Sequence, residues 1–385
     1  MRTNVKIIKG IGSIILILLL AFMAACSGKK VPGEEANAVS SNEEEDFNII
    51  LGSNNNPGAI EDKENDPNIF LEGFKITKHQ VLETLRQNAL KGDAEAQLNL
   101  GILYFRGAGV QQDDKAAAEW IYKSAEQGYK FAQTFLAALY ITGRGVSKDE
   151  KEAIHWLQKA AKQGDSNAQY ALGKMYFEGV SFWRDYKEAM KFFLKAAEQG
   201  HARAQNNIGV MYEKGKGVSQ DYKEAVKWYR KAAKQEHVLA QLNLGLMYYN
   251  ERGVSKDYKE AVKWYRKAAE MGNAMSSLLL AFMYEKGKGV AKDDKEAEKW
   301  YRKSAEMGDA RAQAKLGFIY YNKRGGSQDY KEAIRWFRKV SEKGNSKAAL
   351  LVGIMYLKGQ GVQQDKNSAI KWFRKSAKLG EPRAQ

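Results

Sequence analysis

Residues 200–235 read GHARAQNNIGVMYEKGKGVSQDYKEAVKWYRKAAKQ, and this 36-residue pattern recurs along most of the chain. With the leading glycine counted as position 0, every repeat has Tyr at position 12, Asp at 21, Ala at 25 and Lys at 31. Glycine fills position 0 of every repeat except the fifth, where Glu236 stands. The eight repeats begin at residues 92, 128, 164, 200, 236, 272, 308 and 344, without an insertion or a deletion. A fixed period of this length predicts a solenoid of stacked units.

Each repeat carries the pattern of two amphipathic helices. In the quoted repeat, Ala204, Ile208 and Tyr212 share one face of a first helix, and Trp228 marks the buried face of a second helix. Position 28 is Trp in seven repeats and Phe192 in the other, which predicts an aromatic core between the helices. We therefore predict an all-α fold, an α-α superhelix of eight helix-turn-helix repeats over residues 92–379.

Two further positions indicate how the helices begin and pack. The Asp at position 21 is expected to cap the second helix, and the Glu that follows at position 24 in six repeats completes a capping-box pattern. Position 9, in the middle of the first helix, is always Gly except for Ala137 and Ala281. Because Gly costs about 1 kcal/mol relative to Ala in a helix, we expect another helix to pass close by.

The first 25 residues have the features of a signal peptide. A basic start precedes an apolar run over residues 14–23, which is too short to span a bilayer. The following sequence Met-Ala-Ala-Cys-Ser resembles a bacterial lipoprotein lipobox, which implies that Cys26, the single cysteine of the chain, is lipidated. Because Ser27 stands where an Asp would retain such a protein in the inner membrane, we expect an anchor in the outer membrane, facing the periplasm.

Residues 26–76 are predicted to form a disordered, acidic and Asn-rich tether. Eleven acids and five bases give residues 27–78 a charge of −6, and the composition cannot bury enough apolar surface to fold. The whole chain carries +16 and the signal peptide +3. Because residues 27–78 carry −6, residues 79–385 must carry +19. We interpret this charge mainly as a solvated helix face, as in the series Glu224, Lys227, Lys231. Contact with anionic lipid or an acidic partner is the alternative.

Both ends of the array depart from the full repeat. Residues 77–91 match the second half of a repeat, and we expect a single helix that caps repeat one. Residues 380–385 begin a ninth repeat and then stop.

These motifs carry a family resemblance. The fourth repeat resembles the Sel1-like repeat, a relative of the tetratricopeptide repeat. The matching residues are Ala204-Gln205, Ile208-Gly209, Gly215-x-Gly217-Val218, Glu224-Ala225 and Trp228. The resemblance covers residues 77–385 and implies a right-handed superhelix that binds protein partners. Some secreted relatives join each repeat by a disulfide, but this array contains no cysteine.

The sequence shows no pattern typical of catalysis, of cofactor binding or of a metal site. Phosphate-loop, zinc-protease and nucleophile-elbow motifs are absent. His201 and His237 occupy the same position in adjacent repeats, yet equivalent positions lie two helix layers apart, too far for one ion to bridge. We therefore expect no enzyme, cofactor or small-molecule substrate. Export also argues against a nucleic-acid partner.

Candidate binding residues lie where the repeats differ. Positions 3, 6, 10 and 13 of the first helix face away from the predicted core and form what we call the first-helix stripe. Five of the large apolar residues of the stripe in repeats five and six are the predicted binding residues: Leu242, Leu246, Tyr249, Leu278 and Phe282. In related superhelices this helix lines the concave surface, so the stripe is either a groove for a partner or packed between repeats. Phe182 and Trp183, in an irregular turn, are a second candidate anchor.

The resulting functional hypothesis is a non-catalytic, membrane-anchored scaffold of the cell envelope that binds proteins through its concave face. Two alternatives use the same surface. One is a periplasmic immunity protein that neutralises a secreted toxin such as a phospholipase, and the other is an envelope or host-interaction factor.

Overall fold

The computed structural model describes residues 68–71, 74–179, 184–322 and 329–382. They fall into two compact units, which divide between Ala204 and Gln205. Within each unit, consecutive helices pack against one another as pairs. The prediction of an all-α solenoid of eight helix-pair repeats is confirmed.

The helix pairs follow the 36-residue period. The first helices of repeats one to eight span Ala94–Arg106, Lys130–Thr142, Ser166–Glu178, Ala202–Lys214, Val238–Asn250, Ala274–Lys286, Ala310–Tyr321 and Ser346–Lys358. The second helices span Asp114–Glu126, Glu150–Lys162, Tyr186–Glu198, Tyr222–Lys234, Tyr258–Glu270, Asp294–Glu306, Tyr330–Glu342 and Lys366–Lys378.

A β-hairpin and a single helix precede the repeats. Strands β1 (Asn68–Leu71) and β2 (Phe74–Thr77) pair antiparallel inside the segment predicted to be a tether. Apolar residues with high strand propensity are concentrated in this short stretch, a feature that the average composition of the segment conceals. The capping helix spans Lys78–Leu90, and its Ala89 packs with Leu100 of repeat one. The rest of the predicted tether lies outside the described residues.

A side-chain cap begins the second helix of every repeat. The Asp at position 21 accepts from backbone N–H groups two and three residues later in all eight repeats, so this prediction is confirmed. The reciprocal half of the capping box differs from the prediction. The N–H of Asp221 donates instead to the carbonyl of Tyr212 at 3.0 Å, and the Glu224 carboxylate accepts from Lys227.

The small residue at position 9 allows the two helices of a repeat to approach closely. A Cβ added at Gly209 would lie 2.6 Å from the ring of Tyr229, and one added at Gly317 would lie 2.4 Å from the ring of Phe337. The facing residue at position 29 is fully buried in both cases. The predicted close approach of a second helix is confirmed.

A polar contact between adjacent repeats of the second unit was not predicted from the sequence. The Arg at position 30 donates to the hydroxyl of the invariant Tyr in the next repeat: Arg230 to Tyr248 at 3.0 Å and Arg266 to Tyr284 at 2.7 Å, with the same bond between Arg302 and Tyr320 and between Arg338 and Tyr356. In Tyr248, Tyr284 and Tyr356 the backbone carbonyl also accepts from the N–H of the Asp that caps the following helix.

Candidate functional site

The predicted binding residues of repeats five and six are largely packed inside the second unit. Leu242 is only 9% exposed, and the other four are half-buried against the hydrophobic core: Leu246, Tyr249, Leu278 and Phe282. Of the two sequence alternatives, packing between repeats therefore accounts for much of this surface. What remains exposed of these side chains forms a shallow apolar surface.

Lys288 lies over this apolar surface. Its Nζ donates to the hydroxyl of Tyr249 at 3.1 Å and lies 5.2 Å from the ring centroids of Tyr249 and Tyr258, and 5.7 Å from that of Phe282. The hydrogen bond that Lys288 donates to Tyr249 raises the pKa of the lysine above its usual value. A cation held among aromatic rings links the stripe residues of repeats five and six.

The stripe opens into a cavity one repeat further along. In repeat seven, position 6 is Ala314, whereas repeats five, six and eight have Leu242, Leu278 and Leu350 there. A cavity of about 750 Å³ lies beside it. Its apolar lining comes from Ala297, Ala310, Ala314, Phe318 and Ile319, and its polar lining from Glu285, Asp294, Tyr301, Arg311, Lys315, Asn322 and Asn345. Phe318, at stripe position 10, is 44% exposed.

The charged residues at this cavity are paired within the chain. Glu285 accepts from Tyr301 at 2.7 Å and from Lys315 at 3.0 Å. Burial alone would raise the pKa of the Glu285 carboxyl, but hydrogen bonds from Tyr301, Lys315 and Lys286 lower it to about 2. Arg311 pairs with Asp309 at 2.6 Å. The cavity therefore combines an apolar wall with a rim whose charges are balanced.

The second helix of each repeat places a lysine over an aromatic ring. In all eight repeats the Lys at position 31 lies over the aromatic ring at position 28, at 4.0 to 5.7 Å from the ring centroid. The predicted ladder is thus correct for Glu224 and Lys227, which form an ion pair, but Lys231 lies over Trp228 at 4.0 Å. The lysine at position 31 covers the edge of the core, which accounts for its presence in every repeat.

The two equivalent histidines cap helices. The Nδ1 of His201 accepts from the N–H of Ala204, and the Nδ1 of His237 accepts from the N–H of Ala240, both at 3.2 Å. Asp or Asn takes this role at position 1 of most other repeats. Among the described residues no cluster of His, Cys, Asp or Glu could hold a metal ion.

Three predicted site residues, Cys26, Phe182 and Trp183, lie outside the described residues. In the part of the chain that the structure describes, no helix has both the length and the apolar character needed to cross a bilayer.

Fold and surface together define a class, the α-helical repeat proteins that offer long surfaces to other macromolecules. The model of the Sel1 repeat matches eight consecutive segments that together cover residues 94–381. The chain belongs to the Sel1 repeat family. Proteins of this family are generally protein-interaction scaffolds, typically without catalytic activity. Among curated proteins, no significant match was found.

Several solved structures are similar to this chain. A Sel1 repeat protein from Oxalobacter formigenes is 32% identical, with 92% of this chain and 96% of that chain covered and a TM-score of 0.62. A protective antigen of uropathogenic Escherichia coli strains with the same type of repeat is 36% identical over 79% of this chain and 80% of that one, with a TM-score of 0.39. An immunity protein from Pseudomonas aeruginosa is 22% identical over 56% of this chain and 81% of that one, with a TM-score of 0.37.

Proposed function

We propose that the protein is a non-catalytic scaffold of the cell envelope that binds a protein partner through the first-helix stripe of its second unit. The observation that carries the proposal is the cavity beside Ala314, because it lies on the first-helix stripe and has an apolar wall. Membership of a family of interaction scaffolds supports the same use. An exposed aromatic residue, Phe318, adds a contact of the kind that interfaces favour.

A site-specific photo-crosslinker tests which surface the partner touches. Placed at Phe318 in living cells, the crosslinker is expected to give a discrete protein adduct. Ile370 is a matched control, since it is also a large apolar residue, 47% exposed, but lies on a second helix. Adducts of equal yield from both positions, or no adduct from Phe318, would contradict the proposal. So would hydrolysis of a substrate at a useful rate by the purified protein.

The proposed location depends on a lipid at Cys26. The basic and apolar lead of residues 1–25, followed by small residues before the cysteine, supports an anchor in the outer membrane with the repeats in the periplasm. Cys26→Ser is expected to leave an unprocessed or soluble protein. Membrane fractionation that is unchanged by this substitution would refute the anchor while leaving the scaffold proposal intact.

Toxin immunity and host interaction are the alternative uses of the same surface. An immunity protein would protect a cell that expresses one particular secreted toxin, such as a phospholipase, and a general scaffold would not. Co-expression with the product of a neighbouring toxin or lipase gene distinguishes an immunity protein from a general scaffold. Protection that is lost when the first-helix stripe is altered would favour immunity.

A further inference from the structure

We infer that the cavity beside Ala314 receives a bulky, uncharged apolar side chain of the protein partner. The inference rests on the proposed scaffold function and specifies what the partner must present. It concerns repeat seven, one repeat beyond the residues singled out from the sequence.

The cavity lies at a position of the stripe that carries a small residue in repeat seven. Position 6 carries Leu242, Leu278 and Leu350 in the other repeats of this region, and Leu242 is buried. Ala314 removes that side chain while the surrounding helices keep their pairing. The cavity of about 750 Å³, of which Ala314 lines one part, lies within the usual size range of ligand sites and has room for a large side chain with part of its backbone.

The charges around the cavity select against a charged occupant. The carboxylate of Glu285 is bonded to Tyr301 and Lys315, while Arg311 is bonded to Asp309. Arg311 also donates to the sulfur of Met275 at 3.2 Å. A phosphate or an acidic side chain would have to displace one of these partners, so anionic lipid and nucleic acid fit poorly.

The lining favours an aliphatic or aromatic anchor. Ala310, Ala314 and Ile319 provide apolar contacts, and the exposed ring of Phe318 can pack against an inserted side chain. The uncharged side-chain amides of Asn322 and Asn345, which also line the cavity, carry donors and acceptors suited to the N–H and C=O groups of a peptide backbone. A short peptide segment with one large apolar residue satisfies both halves of this surface.

Ala314→Leu tests the inference, because leucine is the residue that neighbouring repeats carry at this position. The probe is a random peptide library displayed on phage and selected against the full chain, from which enriched peptides are resynthesised and titrated. Enriched peptides are expected to share one Leu, Ile, Met, Phe or Trp. Their dissociation constants should rise at least about tenfold for Ala314→Leu and stay unchanged for Ala314→Ser, which leaves the cavity open.

The control measurements separate a filled cavity from a damaged fold. Ala314→Leu is expected to keep the helical content and to melt at or above the wild-type temperature, because it adds apolar contacts. Equal peptide affinity for wild type and Ala314→Leu overturns the inference. Failure to enrich any peptide, or enrichment of acidic peptides with salt-dependent binding, also overturns it.

The inference and the proposed function fail in different ways. If the crosslinker at Phe318 still captures its protein in the Ala314→Leu background, the scaffold proposal stands and the cavity is not the anchor site. If the wild-type chain gives no adduct, the scaffold proposal itself fails.

Discussion

Gly173 lies directly against the ring of Phe193. A Cβ added at Gly173 would be 2.6 Å from Cδ1 and 2.7 Å from Cε1 of that ring, which is fully buried. Each of these distances is shorter than a carbon–carbon contact allows, so the absence of a side chain at position 9 sets the distance between the two helices of the repeat. The local cost of glycine in the helix is therefore offset by close packing of the aromatic ring.

Gly173→Ala is expected to destabilise the protein by about 1–3 kcal/mol although alanine favours the helix, because the buried ring must move. Repeat two supplies the rescue, since it pairs Ala137 with Leu157 at the same two positions. In Gly173→Ala/Phe193→Leu the loss should be smaller than the sum of the two single losses. Thermal unfolding followed by circular dichroism measures all three variants. Strict additivity would show that the two side chains do not compete for the same space.

Glu236 adopts the backbone conformation that glycine adopts in the other repeats. Its φ is +62°, while the glycines at position 0 have φ between +80° and +93°. A non-glycine residue pays roughly 1–2 kcal/mol in this region, partly offset by the greater freedom of glycine in the unfolded chain. We expect Glu236→Gly to raise the melting temperature. Gly272→Glu, the reverse change in the next repeat, should lower it, and a lower melting temperature for Glu236→Gly would contradict the prediction.

The elements that depend on local chemistry were predictable from the sequence. The residue type and position of Asp221 predict a helix cap. Gly209 predicts close packing, because glycine in the middle of a helix is otherwise unfavourable. The hairpin was not predicted, because two strands of four residues lie next to a long polar segment. Contacts between repeats, such as Arg266 with Tyr284, join residues of two different helices, so the periodicity within one helix does not report them.

The candidate site likewise has features that the local sequence predicts and features that depend on packing between helices. The periodicity identified the first-helix stripe but not how far Leu246 or Phe282 is covered by its neighbours, since burial depends on helix spacing. The cavity beside Ala314 appears in the sequence only as a small residue among leucines. Its volume depends on three separate helices, and no single-residue pattern reports such a volume.

A pair of glutamines joins the two helices of each repeat in repeats one to four. Gln235 Nε2 donates to Gln205 Oε1 at 2.8 Å, and the same bond joins the equivalent residues of the first three repeats. In repeat five Met271 replaces the donor, and the buried Oε1 of Gln241 has no hydrogen-bond partner in the described structure. We expect Met271→Gln to stabilise the protein by about 1 kcal/mol.

The control for Met271→Gln is Met307→Gln in repeat six. There position 5 is Ser277, whose shorter side chain has no amide oxygen, so the new amide finds no equivalent acceptor. Urea unfolding should show a gain for Met271→Gln alone. Equal effects of the two substitutions would mean that the gain comes from helix propensity and not from the hydrogen bond.

Acid is expected to weaken the cavity region through Glu285. Hydrogen bonds from Tyr301, Lys315 and Lys286 outweigh the effect of burial and lower the pKa of its carboxyl from 4.5 to about 2. A carboxyl whose pKa is lower in the folded state stabilises the fold above its unfolded pKa, and this contribution is lost as the pH falls from about 4.5 to about 2. Glu285→Gln should reduce the slope of stability against pH in that interval. An unchanged slope would contradict this assignment.

Burial of the stripe in repeats five and six predicts what acidic substitutions will do there. Leu246 and Phe282 are half-buried and pack against the core of the second unit, so Leu246→Glu/Phe282→Glu places two carboxylates against apolar neighbours. We expect a loss of more than about 2 kcal/mol, seen as a sharply lower melting temperature. Leu239→Glu is the matched control, because Leu239 belongs to the same stripe but is 52% exposed, and its replacement should change stability by less than about 0.5 kcal/mol. If the double variant melts like the wild type, these side chains are accessible in solution. Its partner affinity would then show whether repeats five and six bind the partner, as the sequence alone suggested.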